Sequence, residues 1–210
     1  MIRGIQVQQF FDSFCYFYID DATKHGFLID PGAEPQKLLK LIDRQEWTIE
    51  KILITHGHID HTGAVNTILE HFDIPVYAHR MTESFMMDRE LNLSEFFGPP
   101  IHIENLQCLD DGDIISLEAD PAFSLKVIYA PGHTVDSIVL YSEKDNAAFV
   151  GDSIYRGCLG DYQYPGGDYK LLLKNVKEKI LTLPGQTVLY SGHSEPTTVA
   201  LERPLYFYQD

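Results

Sequence analysis

The run Thr55-His56-Gly57-His58-Ile59-Asp60-His61 constrains this chain more than any other feature, because it crowds four side chains able to bind a metal into six consecutive positions. With 9 histidines in 210 residues, that clustering is not a chance outcome. Upstream, Lys51 to Thr55 is apolar and β-branched and predicts a strand. Downstream, Thr62 to Phe72 carries apolar residues at Ala64, Ile68, Leu69 and Phe72, a helical spacing. The four ligands are therefore expected on a strand-to-helix loop at a sheet edge, where rigid elements hold the side chains in place. His56 and His58 are expected to project to one side of the turn, leaving Asp60 and His61 to face a neighbouring position. Two adjacent cations are the natural occupants.

More ligands follow, each at the end of its own predicted strand. Phe123 to Ala130 reads as a strand that runs into Pro131-Gly132-His133-Thr134. Ala147 to Val150 ends in Gly151-Asp152, and Thr187 to Tyr190 ends in Ser191-Gly192-His193. Three strand ends thus deliver a His, an Asp and a His.

These residues resemble a known family. The motif His-x-His-x-Asp-His, with the downstream His133, Asp152 and His193, is similar to the ligand set of metallo-β-lactamase-fold hydrolases. The closest resemblance is to small glyoxalase II-like (hydroxyacylglutathione hydrolase-like) proteins. The resemblance extends from Leu28-Ile29-Asp30-Pro31-Gly32 to Glu202-Arg203-Pro204. It implies that His56, His58 and His133 hold one divalent ion, that Asp60, His61 and His193 hold a second, and that Asp152 bridges them. Imidazole and carboxylate ligands suit zinc, iron or manganese, with zinc the default. The implied chemistry is hydrolysis of a small thioester or related ester by a hydroxide shared between the metals. Asp60 has an implied second role, orienting that hydroxide. Asp30 is implied to accept a hydrogen bond from a liganding histidine, although an Asp-Pro-Gly turn needs no metal.

Two other function classes compete. A mononuclear iron oxidoreductase of the persulfide dioxygenase type would use His56, His133 or His58, and Asp152. A metal-stabilised binding module would need a closed four-ligand site, which seven candidate ligands do not suggest. A net charge of −15 argues against nucleic acid, since binding a polyanion needs basic patches; this also weakens the ribonuclease Z reading. The expected partner is a small-molecule substrate. No apolar run approaches a membrane span, and Met1 to Ile5 lacks the basic start of a secretion signal, so the cytoplasm is expected. That also weakens a β-lactam substrate. Cys15, Cys108 and Cys158 are too few and too scattered for a disulfide framework or a CxxC site.

The chain suits a single domain over residues 1–210, being 44% hydrophobic. Strands are predicted at Ile5 to Phe10, Cys15 to Asp20, Gly26 to Asp30, within Leu106 to Leu117, and at Ser124 to Tyr129, Ser137 to Tyr141 and Ala147 to Val150. Helices are predicted at Pro35 to Trp47, with Leu38, Leu39, Leu41 and Ile42 buried, and at Tyr169 to Leu181. The pattern alone gives mixed α and β. The resemblance implies an α+β, four-layer αββα sandwich. Met81 to Pro100 reads as core cover or, alternatively, as a flap that shapes an apolar acyl pocket over the metals.

Substrate residues are less legible. The helical region that grips glutathione in full-length glyoxalase II enzymes is not expected here, with Ser194 to Asp210 following the last ligand. Asp161 stands where small relatives carry Lys or Arg, and it would repel a glutathione carboxylate. Arg156 is the replacement anion anchor or a solvated cation, and Tyr162 and Tyr164 would supply hydrogen bonds or a stacking wall. Oligomeric state leaves no mark in the sequence.

Overall fold

The computed structural model describes residues 1–103 and 106–207. Six strands form the first sheet: β1 Ile2–Gln8, β2 Asp12–Ile19, β3 His25–Ile29, β4 Thr48–Leu53, β5 Val76–His79 and β6 Gln107–Leu109, in that spatial order. The second sheet contains β7 Ile114–Ser116, β8 Ser124–Tyr129, β9 Ile138–Ser142, β10 Ala147–Gly151, β13 Val188–Ser191 and β14 Thr197–Thr198, ordered β14-β13-β10-β9-β8-β7. A small hairpin, β11 Ile154–Tyr155 with β12 Cys158–Leu159, stands apart from both. The helices are α1 Pro35–Gln45, α2 Ile59–Thr62, α3 Val65–Leu69, α4 Thr82–Met87, α5 Ser94–Phe97, α6 Tyr169–Asn175 and α7 Val199–Phe207.

Strand alternation explains the layering. In β2, Cys15, Phe17 and Ile19 point one way and join Leu38 and Ile42 of α1, Trp47, and Val65 and Ile68 of α3 in one core. Tyr16 and Tyr18 point the other way, into a second core with Phe27, Leu53, Phe123, Leu125, Leu140 and Phe149. A third core packs Val139, Ala148, Val150 and Leu189 against Leu172, Val176 and Ile180. Three cores between successive layers make four layers, helix on sheet on sheet on helix, as expected of an αββα sandwich. Burying one Phe or Leu side chain contributes about 1.5–3 kcal/mol, so side chains of this kind in every interface hold the layers together.

Several elements depart from the sequence reading. Helix α1 buries Leu38, Leu39 and Ile42, whereas Leu41 packs only at the margin. The single helix expected over Thr62 to Phe72 is two short ones. The break falls at Gly63–Ala64, where the Ala64 amide donates to the Pro31 carbonyl at 3.0 Å instead of continuing the helix. Consequently Asp60 and His61 lie in the first turns of α2, not in the loop. The helix from Tyr169 is capped by Asp168, which accepts from the Leu171 amide at 3.0 Å, and it widens into a π turn at Val176–Ile180. Among the described residues, no helix is long and apolar enough to cross a membrane.

Candidate metal centre

Topology brings the ligands to one edge. Strands β3 and β4 are parallel, and both release their chains at the same end, Asp30 after β3 and His56 to His61 after β4. Strands β8 and β10 each run antiparallel to β9, and β13 is parallel to β10. All three therefore end on one side, presenting His133, Asp152 and His193. Close approach is bought with glycine at two of these ends. Gly151 has φ +49°, and a Cβ there would lie 2.5 Å from Thr55 Oγ1. A side chain at Gly192 would run into Asp152 and His61.

The seven expected ligands converge. His56 Nε2 lies 3.1 Å from His58 Nδ1, and His133 Nε2 lies 3.0 Å from the same atom. The second trio is Asp60, His61 and His193, with His193 Nε2 3.0 Å from Asp60 Oδ2 and His61 Nε2 3.7 Å from it. Asp152 stands between: Oδ1 is 3.4 Å from His61 Nε2, and Oδ2 is 3.1 Å from His193 Nε2 and 3.6 Å from His133 Nε2. In each trio the candidate ligand atoms lie within 4.8 Å of one another, and an overlapping group joins His56, His61 and Asp152.

These distances fit a metal better than they fit hydrogen bonds. His133 Nδ1 contacts the Asp161 backbone carbonyl, an acceptor only, so the proton sits there and Nε2 offers a lone pair. His193 Nδ1 likewise donates to the Asp12 carbonyl at 2.7 Å, and His61 Nδ1 to Asp30 Oδ2 at 3.0 Å. His56 Nδ1 is 3.2 Å from the Thr55 hydroxyl. One proton on His58 Nδ1 cannot serve both facing nitrogens, and ligands around a tetrahedral zinc sit about 3.3 Å apart. His61 Nε2 and Asp152 Oδ1 are buried without a hydrogen-bond partner. The donor set, its tautomers and its orphaned atoms therefore fit divalent cations.

Electrostatics divide the two trios. Burial, reinforced by neighbouring histidines, drives His56 far down and His58 to about 3, so both stay neutral. Burial also opposes charge on His193, but Asp152 and Asp60 outweigh it and carry that imidazole up to about 10. His61 is raised in the same way, its burial outweighed by Asp152, Asp60 and Asp30. Both carboxylates are lowered against the opposing effect of burial, Asp60 first by His61 and Asp152 first by His193. Without metal, imidazolium groups do the neutralising that a cation would do.

A cavity of about 220 Å³ opens onto this cluster, lined by Phe11, His58, Asp60, Leu93, His133, Asp152, Tyr155, Asp161, Tyr164 and His193. Of the expected substrate residues only Tyr164 lines it. Arg156 sits exposed at the turn of the β11–β12 hairpin, its amide bound to Ser194 Oγ, and Tyr162 packs on Tyr169 with ring centroids 4.9 Å apart. Tyr155, missed in the sequence, faces Asp152, with burial the main reason its phenol stays protonated. Asp30 accepts from the Thr55 amide at 2.8 Å and hydroxyl at 2.7 Å as well as from His61. The segment from Met81 to Pro100 divides: Phe85, Met86 and Leu93 are buried, Phe85 lying 5.7 Å from the His58 ring, whereas Met87 and Phe96 are exposed.

Known proteins resemble this chain in sequence and in fold. The model of the metallo-beta-lactamase superfamily matches residues 9–193. A curated relative, hydroxyacylglutathione hydrolase GloC of Haemophilus influenzae, is 28% identical over 92% of this chain and 91% of its own. The crystal structure of BLEG-1 B3 metallo-beta-lactamase superposes with a TM-score of 0.88 at 29% identity, covering 99% of this chain and 100% of that one. TTHA1623, crystallised in a di-iron-bound form, gives 0.84 at 30% identity with the same coverage.

Proposed function

Because the chain belongs to the metallo-beta-lactamase superfamily, we propose that it is a dinuclear metal-dependent hydrolase of small thioesters or related esters. The observation that carries this reading is the pair of ligand trios with Asp152 between them. His56, His58 and His133 would hold one ion, Asp60, His61 and His193 the other. Two such ions, when bound, acidify water and draw charge from an acyl carbonyl. Zinc is the first choice, and the di-iron form of TTHA1623 keeps iron in view.

The remaining work falls to the chain itself. Asp60 faces the cavity and orients the attacking water through its carboxylate. Tyr155, a protonated phenol at the same wall, is placed to donate toward the carbonyl oxygen. Phe11, Leu93 and Tyr164 give an apolar surface for the acyl chain. No Lys or Arg among the described residues lines the cavity, and Asp161 does, which favours a neutral substrate over glutathione with its carboxylates. A cavity of about 220 Å³ suits a small molecule, and a net charge of −15 disfavours nucleic acid. A reducing cytoplasm suits the three free cysteines.

Metal analysis with a thioester panel tests the reading. Protein purified without added metal should hold about two equivalents, and chelation should abolish cleavage. Turnover that survives metal removal overturns it. A single iron with oxygen uptake would favour the mononuclear dioxygenase reading, which leaves Asp60, His61 and His193 without a role.

A further inference from the structure

One buried carboxyl lies outside both trios yet touches the frame of the first. Asp136 is fully buried, and its Oδ2 accepts the Gly57 amide at 2.9 Å. Gly57 is the residue between His56 and His58. Thr134, the neighbour of His133, presents its hydroxyl to the same carboxyl, and so does Thr82, the first residue of α4. Asp136 forms no ion pair among the described residues, and its Oδ1 and Thr82 Oγ1 are both buried without a hydrogen-bond partner.

The other side of Gly57 is covered by α4. A Cβ on Gly57 would lie 2.9 Å from both Met86 Cγ and Phe85 Cδ1, and 3.3 Å from Asp136 Oδ2. The peptide joining the two histidines is therefore pinched between a buried carboxyl and the helix over the site. A buried carboxyl without a cation is expensive, and the Gly57 amide at 2.9 Å is the hydrogen bond that most directly offsets it. Burial does push Asp136 above the usual carboxylate range, against those hydrogen bonds.

From this geometry we infer that Asp136 is a positioning residue that fixes His56, His58 and His133 in register and, by holding the Gly57 peptide, seats helix α4 against them, with Thr82 facing the carboxyl. It touches neither substrate nor metal. The inference rests on the metal reading above for its ligand consequence, but the lock on α4 stands without metal. A carboxyl that only filled space would be replaceable by any side chain of similar size.

The test uses the full chain, cobalt(II) as probe and amide hydrogen exchange. Asp136→Ala should weaken cobalt at the three-histidine trio by about 10–100-fold, alter its visible spectrum and leave the Asp60 trio near its original affinity. In metal-free protein, exchange across residues 82–87 should accelerate. Asp136→Asn, which keeps an acceptor for Gly57, should restore most of the cobalt affinity. Thr82→Val, a milder change, should accelerate exchange in α4 even if Asp136→Ala fails to fold. Unchanged cobalt affinity and spectrum in Asp136→Ala, or unchanged exchange in Thr82→Val, overturns the inference. A wild-type chain that binds no cobalt would instead overturn the hydrolase reading, with the exchange arm still deciding the lock.

Discussion

Replacing Asp30 by Asn removes a charge with almost no change of shape, and the structure says where the damage goes. The carboxylate accepts three bonds: the Thr55 amide at 2.8 Å on Oδ1, and the Thr55 hydroxyl at 2.7 Å and His61 Nδ1 at 3.0 Å on Oδ2. An amide must put its NH2 on one side. Facing the Thr55 amide it would set donor against donor, with no way for a backbone N–H to yield. Facing Oδ2's partners it meets a hydroxyl that can rotate and an imidazole that can change tautomer. The second orientation wins, so His61 gives up its Nδ1 proton and keeps the one on Nε2, the nitrogen aimed at Asp60 and Asp152. A hydrogen bond to a charged group contributes about 1.5–3 kcal/mol, and a weaker neutral one replaces it, so global stability should fall by only about 1–2 kcal/mol. Metal affinity at the Asp60, His61, His193 trio should fall about 10–100-fold. Competition with a chromophoric chelator reads the two sites separately, with urea unfolding of metal-free protein as control. An Asp30→Asn chain that binds both ions as tightly as wild type would refute the tautomer argument.

Three further outcomes are expected. In metal-free protein His193 rises from 6.5 to about 10, so it binds more protons folded than unfolded between those values. Its stabilising contribution is complete below pH 6.5 and is lost as pH climbs toward 10; melting curves across that window should fall, and zinc binding at neutral pH should release a proton each from His193 and His61, measured by calorimetry in buffers of different ionisation enthalpy. Gly192→Ala should lower zinc content while circular dichroism stays native, since its methyl invades Asp152 and His61. Phe149→Ala should destabilise the chain by about 3–5 kcal/mol in denaturant titration, because this buried ring packs between Tyr16, Tyr18 and Tyr190.

What the sequence disclosed, and what it concealed, follows from the range of each interaction. His56 to His61 lie within a few residues of one another, and His133, Asp152 and His193 each follow an apolar run, so local pattern found them. The same logic found most strands, with bounds that shift by a residue or a few, but not β5, β11, β12 or β14. Phe11 and Asp12 escaped notice because they reach the site from the β1–β2 turn, and nothing near Asp12 tells that its carbonyl will meet His193. Asp136 reads locally as one more turn residue. Arg156 and Tyr162 looked promising by proximity in sequence to Asp152, but hairpin pairing of Tyr155 with Cys158 sets Arg156 at an exposed tip. The same pairing brings Tyr155 to the cavity. The break at Gly63 was equally silent, since it is dictated by the Pro31 carbonyl more than thirty residues upstream.

Each trio draws two members from the segment that follows β4, His56 and His58 from its loop and Asp60 and His61 from α2, and its third from the opposite sheet, and Asp152 also comes from that sheet. An ion bound there is thus a rivet through the seam joining the two halves of the molecule. Its binding energy accrues to their union rather than to either half alone. Stripping the ions should therefore slacken the interface between the sheets first, leaving each outer helical layer clasped to its own sheet.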